Sequence, residues 1–493
     1  MTIALVIIFG FLLIALYLGI KARKGREMDL DQWAVGGRGF SALFVFLLIA
    51  GEANTTFTFL GGSGWAYGNG GPAAYMIIYL PLATLLTYWF APAVWRYAKK
   101  HQLVSQPDFF ASKYNSKNLG ILTAVIGAVS MFPYFILQLK GLGIIVSVAS
   151  YGAISSNAAI LIGAVSMSIY VMISGIHGSA WTAALKDIMI FFIVLFLGIY
   201  LPIHYYGGIQ PMFEVVDAAK PGFLTIPDKG LSISWFISAS FLSAIGGLAW
   251  PHLFGPIFSS KSEKDIRRST IMRPIYSLML LFVFFVGFTA ILQVPGLKGA
   301  QMDSALLHLS LKTFDPWFIG VIGAAGLLTA LVPGSLLLTS ICTSLSKNVY
   351  QALVPSASNT SVLHLAKYLV PVISLVAAFI TIYGGNDIVT LLLVGYGFAA
   401  QLLPPLVFSL FKKNILTKYG AAIGMIAGVI TVAYTTVTNA TIGTMFPAFP
   451  QAIKDLDVGI VALILNVVVS IIISLVAGGI ASLKDKKAAA KTA

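Results

Sequence analysis

Apolar runs of about eighteen residues or more, separated by short polar connections, recur from one end of this chain to the other. At about 1.5 Å of rise per residue, each is long enough to cross ~30 Å of hydrocarbon as a helix. Thirteen such runs are present, at about 2–20, 41–69, 72–95, 119–149, 157–175, 179–202, 231–254, 274–294, 317–346, 368–384, 388–410, 419–441 and 458–483. No stretch between them is long enough for a soluble domain. The pattern predicts a single all-α polytopic membrane domain over residues 1–493.

Two runs are interrupted more than the rest. Gly51 and then Gly61, Gly62 and Gly64 break the second, while Gly246-Gly247-Leu248-Ala249-Trp250-Pro251-His252 breaks the seventh. They lie five spans apart and so cross the membrane in opposite directions, the pattern of an inverted repeat of five plus five helices with a binding site between the broken ones. The repeats would be 41–202 and 231–410, preceded by an extra first helix and cytoplasmic loop at 1–40 and followed by C-terminal helices and a short basic tail at 411–493. A helix break leaves backbone N–H and C=O groups that lipid cannot satisfy but an ion or solute can.

The second run also carries a lone acid, Glu52. A carboxylate at mid-membrane costs about 2–3 kcal/mol or more, so it faces a cavity or a partner. It lies about eleven residues, or ~17 Å, along its helix, and burial gives such a carboxyl the affinity for protons that a coupling group needs.

Composition agrees with the membrane reading: 58% of the 493 residues are hydrophobic and 10% charged, with mean hydropathy +0.91. The net charge of +14 reflects topology and not a nucleic-acid partner. With the amino terminus outside, 25 of the 31 basic residues fall in cytoplasmic connections, among them Arg38, Arg96, Lys186, Arg267, Arg273, Lys347 and Lys484. Only Lys220, Lys229, Lys298, Lys312 and Lys454 fall outside, with Lys140 inside a span. This asymmetry predicts an extracytoplasmic amino terminus and a cytoplasmic carboxyl terminus in a cell-membrane protein. Lys21 to Arg26 follow the first run in place of a small-residue cleavage site, which reads as an uncleaved span. The single cysteine, Cys342, excludes an intrachain disulfide framework.

Several short motifs resemble the sodium/solute symporter family. They are Asp31-Gln32-Trp33-Ala34-Val35-Gly36-Gly37-Arg38 before the broken second run, Gly61 to Tyr67 after it, Ser179-Ala180-Trp181-Thr182 opening the sixth, Gly246 to His252 in the seventh, and Asn348-Val349-Tyr350 closing the ninth. Their order spans nearly the whole chain. The resemblance implies a leucine-transporter-like core, made by segments two to eleven, that couples solute uptake to an inward cation gradient by alternating access.

The chain departs from that family around the ion. Counting back from Tyr350 places Val332 and Pro333 where sodium-dependent members carry a Ser/Thr pair with ligating hydroxyls. Ala183 and Ala53 stand where some members have an acid, and Pro256 where they have an arginine. Sodium held by backbone carbonyls with Thr55 or Ser335, and a proton carried by Glu52, are the two expected couplings. Gly51, Glu52, Thr55 and Ser335 are the coupling-ion candidates. Glu52, Asn54, Thr55, Trp250, His252, Tyr396 and Gln401 are the candidates for binding solute.

Three more charges lie within the runs. Lys140 reads as an interfacial residue or as an attractor of anionic solute into the outer vestibule. Lys186 reads as a side chain snorkelling to the cytoplasmic surface. Asp187 is too short to snorkel as far and needs a partner, but adjacent helix residues do not face each other, so the two do not read as a pair.

The six histidines form no metal-protease spacing, and no Gly-rich phosphate loop is present, which argues against an enzyme or an ATP-driven pump. A solute sensor that does not transport would normally bring a signalling domain, for which the tail from Lys484 is too short. No cofactor is expected beyond a sodium ion. The expected partners are a small-molecule solute, a coupling cation and the lipid bilayer. Trp181 to Asp187, Pro251 to Phe254 and Val332 to Ser335 resemble the monocarboxylate-permease branch, and a monoanion arriving with a proton suits Glu52. An amino acid or other small neutral solute is the alternative substrate.

Overall fold

The computed structural model describes residues 2–25 and 27–492, and the side chains of all of these except Arg23 and residues 479–492. Arg26 and the side chains of Arg23, Lys484, Lys486, Lys487 and Lys491, which are among the 25 basic residues expected on the cytoplasmic face, lie outside the described residues. The described chain is helical, with a lone bridge between Phe40 and Ser260 in place of any sheet.

In chain order, the helices that build the bundle are α1 (Thr2–Arg23), α2 (Ala42–Ala53), α3 (Gly62–Asn69), α4 (Tyr75–Lys100), α5 (Lys117–Ala149), α6 (Ser156–Tyr206), α7 (Ile233–Gly246) and α8 (Pro251–Ser259). They continue as α9 (Glu263–Ser277), α10 (Met279–Gln293), α11 (Pro316–Thr343), α12 (Asn359–Tyr383), α13 (Ile388–Ala400), α14 (Lys418–Thr438) and α15 (Val458–Thr492). Among the described residues, nine helices are long and apolar enough to cross a membrane, and eleven spans result when two bent pairs each count as one. The 51 residues of α6 would measure about 77 Å as a straight rod, more than twice the hydrocarbon thickness. Gly175, at φ 52° and ψ −147°, divides it. With that division and the shorter apolar α13, each of the thirteen runs has its helix. The central element is α11, whose most apolar window is 94% buried against α1, α5 and α6.

The two broken spans are α2–α3, bent by 46°, and α7–α8, bent by 52°. The first ends at Asn54, whose φ −100° and ψ 80° leave the helical region. A wide five-residue turn, Phe57–Gly61, restarts the chain. The second breaks because Pro251 bars the helical conformation to the residue before it. Trp250 accordingly sits at φ −62° and ψ 118°.

The start of α2 is tied to the end of α8. Phe40 N–H donates to the Ser259 carbonyl at 2.9 Å, Lys261 N–H donates to the Phe40 carbonyl at 3.0 Å, and Asp265 Oδ1 accepts from Ala42 N–H at 3.2 Å. The beginning of one broken span thus meets the end of the other, so the two run in opposite directions and their breaks lie side by side.

Candidate substrate and ion site

Breaking α2 frees the carbonyls of its last turn, and each has a specific partner. Asn54 caps Ala50 O through both its backbone N–H, at 3.0 Å, and its side-chain Nδ2, at 2.9 Å. Lys186 Nζ donates to Gly51 O at 2.5 Å and to Asn54 O at 2.8 Å. Tyr134 OH donates to Glu52 O at 2.9 Å, and Thr58 Oγ1 to Ala53 O at 2.7 Å. At the other break, Gln106 Nε2 donates to Ala249 O at 2.7 Å. Side chains from α5 and α6 therefore hold the interrupted backbone open.

The Glu52 carboxylate meets the second break directly. His252 Nε2 lies 2.7 Å from Glu52 Oε1, and both side chains are buried. Tyr134 and Trp250 rings pack at 5.3 Å, Trp250 and Tyr396 at 5.3 Å, and Tyr79 and Tyr396 at 5.8 Å. These aromatic walls, with Glu52, Ala53, Phe57 and Arg273, line a cavity of about 480 Å³. Such a space admits a small solute flanked by rings, with one guanidinium and one carboxylate at its wall. On its far side His252 lines a second cavity of about 360 Å³ with Ser105, Thr339 and Thr343.

The candidates fall into three groups. Glu52, Trp250 and Tyr396 line the cavity, and His252 joins them through Glu52. Gly51 and Asn54 act through their carbonyls beside it. Thr55 and Ser335 turn their hydroxyls to protein: Thr55 Oγ1 accepts from Phe57 N–H at 3.0 Å, while Ser335 Oγ donates to Val332 O at 2.6 Å and meets Ser179 Oγ at 2.7 Å. Gln401 is not at the cavity. Its amide donates to Gly397 O at 2.9 Å and takes Asn466 Nδ2 of α15 at 3.1 Å, so it fastens α13 to α15.

Three expectations about charges are corrected. Lys186 does not snorkel; its relative exposure is 0%, because two carbonyls of the α2 break hold it inside. It also pairs with Asp187, Nζ to Oδ1 at 2.9 Å. The two Cα–Cβ bonds diverge, but the long lysine chain curls back, and Tyr276 OH fixes the same carboxylate oxygen at 3.1 Å. Arg273, counted with the cytoplasmic charges, is buried and lines the cavity, because α9 folds over the end of α2. Lys140 is committed to one end of the bundle, where it pairs with Asp303 at 3.1 Å and donates to Asn386 O. Burial pushes the Asp303 carboxyl up to about 6, although Lys140 works the other way.

Arg273 and Tyr134 are the residues that sequence reasoning missed. Arg273 stands next to Pro274 at the edge of an apolar run, where a flanking basic residue looks the same as a buried one. Tyr134 carried no signal beyond being one of twenty tyrosines.

The family model described as the sodium:solute symporter family matches residues 33–428. An uncharacterised symporter of Bacillus subtilis (strain 168), YhjB, is 59% identical over 493 residues, 100% of both chains. A monocarboxylate transport permease protein of Rhizobium johnstonii is 27% identical over 432 residues, 86% of this chain and 85% of the relative. Among solved structures, the substrate-bound outward-open state of a Na+-coupled sialic acid symporter superposes with a TM-score of 0.78 at 17% identity, covering 96% of this chain and 97% of that one. The shared fold is the leucine-transporter-like one.

Proposed function

Since the chain belongs to the sodium:solute symporter family, and is thereby a multi-pass membrane protein of a family of transporters and not of enzymes, we propose that it takes up a small organic anion, a short monocarboxylate, on an inward cation gradient. The observation that carries this reading is Arg273. Among the described residues it makes no ion pair, yet it is buried at the wall of an enclosed cavity. A buried guanidinium needs an anionic partner, and its planar fork suits a carboxylate better than any other small group. Glu52 is the only other charge on that wall, and His252 already engages its carboxylate. The relative named as a monocarboxylate permease supports the same class.

A second reading follows from the same wall. Glu52 and Arg273 together suit the two ends of a zwitterionic amino acid. Counterflow separates the two. Purified protein in proteoliposomes preloaded with unlabelled propionate is expected to exchange it for external [14C]propionate, with other short monocarboxylates competing and proline not. Removing one partner of a buried charge pair costs about 2–5 kcal/mol, so Arg273→Gln is expected to lower exchange at least about tenfold, with Arg273→Lys retaining part. Vesicles preloaded with proline that exchange it for external [14C]proline, while propionate neither exchanges nor competes, would transfer the function to the zwitterion.

A further inference from the structure

The carbonyls of Gly51 and Asn54, three residues apart, converge on one point at the break in α2, and Lys186 Nζ occupies that point. With Asp187 Oδ1 at 2.9 Å, all three N–H donors of the ammonium have acceptors. The remaining wall is apolar, with Val332 of α11 packed against Ala50 and Ala183. The nearby Ser335 hydroxyl is engaged with Ser179 and the Val332 carbonyl. A fully buried lysine is costly unless it is paired, and at this place it presents a fixed positive charge to any cation that would use the same carbonyls.

We propose that Lys186 is a tethered cation standing where the α2 break would otherwise hold a metal ion, so that the ion coupled to transport is a proton exchanged at Lys186 and Asp187. This inference rests on the symport reading for its cycle. In the charged state the ammonium pins the α2 break to α6. In the exchange, an N–H bond of Lys186 breaks and an O–H bond forms on Asp187, leaving a neutral amine and a neutral acid. Asp187 Oδ2 is buried without a hydrogen-bond partner and is the oxygen free to take that proton. The O–H bond then breaks to water on the cytoplasmic side, and a proton from the outside restores the ammonium. One proton crosses per cycle, and the uncharged amine holds the two carbonyls less firmly at the step in which the broken span must move.

The titratable and charged groups around Lys186 are few. Asp187 lies on its own helix, Glu52 on α2, and Tyr276 and Arg273 on α9, Tyr276 bonded to Asp187 and Arg273 at the cavity that Glu52 lines. From α11 the neighbouring side chain is Val332, which does not titrate. Glu52 differs from Asp187 in that His252 already engages its carboxylate, whereas Asp187 Oδ2 has no hydrogen-bond partner.

The test uses the full-length protein in proteoliposomes with [14C]propionate as probe. With the lumen one pH unit more alkaline and choline replacing sodium, wild type is expected to take up the probe at an initial rate several-fold above that of protein-free liposomes, which admit only the undissociated acid by diffusion. An inward sodium gradient without a pH gradient is expected to give a ratio of internal to external probe of one. The charge-balanced double substitution Lys186→Met with Asp187→Asn is expected to elute from a gel-filtration column as wild type does, which shows that it folds, while its pH-driven initial rate of uptake falls to that of protein-free liposomes. Accumulation on sodium alone by wild type, or pH-driven uptake by the double variant at the wild-type rate, would overturn the proposal. A second arm needs no solute: thermal unfolding of the detergent-solubilised protein at constant ionic strength is expected to be the same in sodium and in choline. A rise specific to sodium would show a metal ion bound beside Lys186 and end the proposal. If wild type exchanges no propionate at all, the substrate reading fails and the unfolding arm still decides this one.

Discussion

A single backbone angle at Gly175 allows α6 to contain two spans. Its φ of 52° lies in the left-handed region, and an added Cβ would lie 2.7 Å from Trp33 O and 2.6 Å from Trp33 Cδ1. A non-glycine residue there costs about 1–2 kcal/mol in backbone strain before any clash. Gly175→Ala is therefore expected to lower the apparent Tm by several degrees, whereas Gly10→Ala, with nothing within 4 Å of the added methyl, is expected to leave it within a degree; equal Tm values for the two would contradict the packing described. Trp33 also explains the motif in which it sits: its Nε1 donates to Val171 O at 3.3 Å, and Gln32 meets His177 at 2.9 Å, so the Asp31 to Arg38 stretch docks on the break in α6. The convergence of Glu52, Trp250, His252 and Tyr396 was legible because each is a polar or aromatic residue at or opposite a glycine or proline break. Arg273, Lys186 and Gln401 were misjudged for a common reason. Whether a long polar side chain turns toward water, a carbonyl or a cavity depends on the neighbouring helix, and one helix's sequence does not contain its neighbour.

At the scale of elements, the two breaks were legible for different physical reasons. Trp250 is extended because a proline follows it, a local steric rule that operates in any context. Asn54 is not forced by its own sequence; the break there persists because Lys186, Tyr134 and Thr58 take the carbonyls that the helix gives up. Glycines marked the neighbourhood of that break, but two of its three partners come from α5 and α6. The division of α6 was legible from length, since the apolar pattern paused between 175 and 179. The same pairing of distant elements closes both ends of the bundle. Lys140 and Asp303 join α5 to the chain after α10, while Asp108 takes Lys347 at 2.7 Å and Asn348 at 2.6 Å on the opposite side. Asn348 belongs to the motif that closes the ninth run, which gives that motif a structural role in holding α11 to the segment before α5.

At the scale of the molecule, the distribution of basic residues argues that the amino terminus is extracytoplasmic and the carboxyl terminus cytoplasmic. A fluorescent reporter that matures only in the cytoplasm is expected to glow at the carboxyl terminus and stay dark at the amino terminus; the reverse would invert every inside and outside assignment. Fold class, the number of apolar segments and the paired breaks were legible because bilayer thickness and backbone satisfaction act on the whole chain at once. The cavity's charge balance was not, since it depends on which side chains meet across six helices. The most direct measurement of function is the initial rate of [14C]propionate uptake into proteoliposomes, above that into protein-free liposomes, under an imposed inward cation gradient. A coupled symporter is expected to give a rate above the protein-free one and to lose the excess when an ionophore collapses the gradient. A rate equal to the protein-free one under both proton and sodium gradients, with propionate nonetheless bound, would contradict transport and leave a solute-binding sensor in its place.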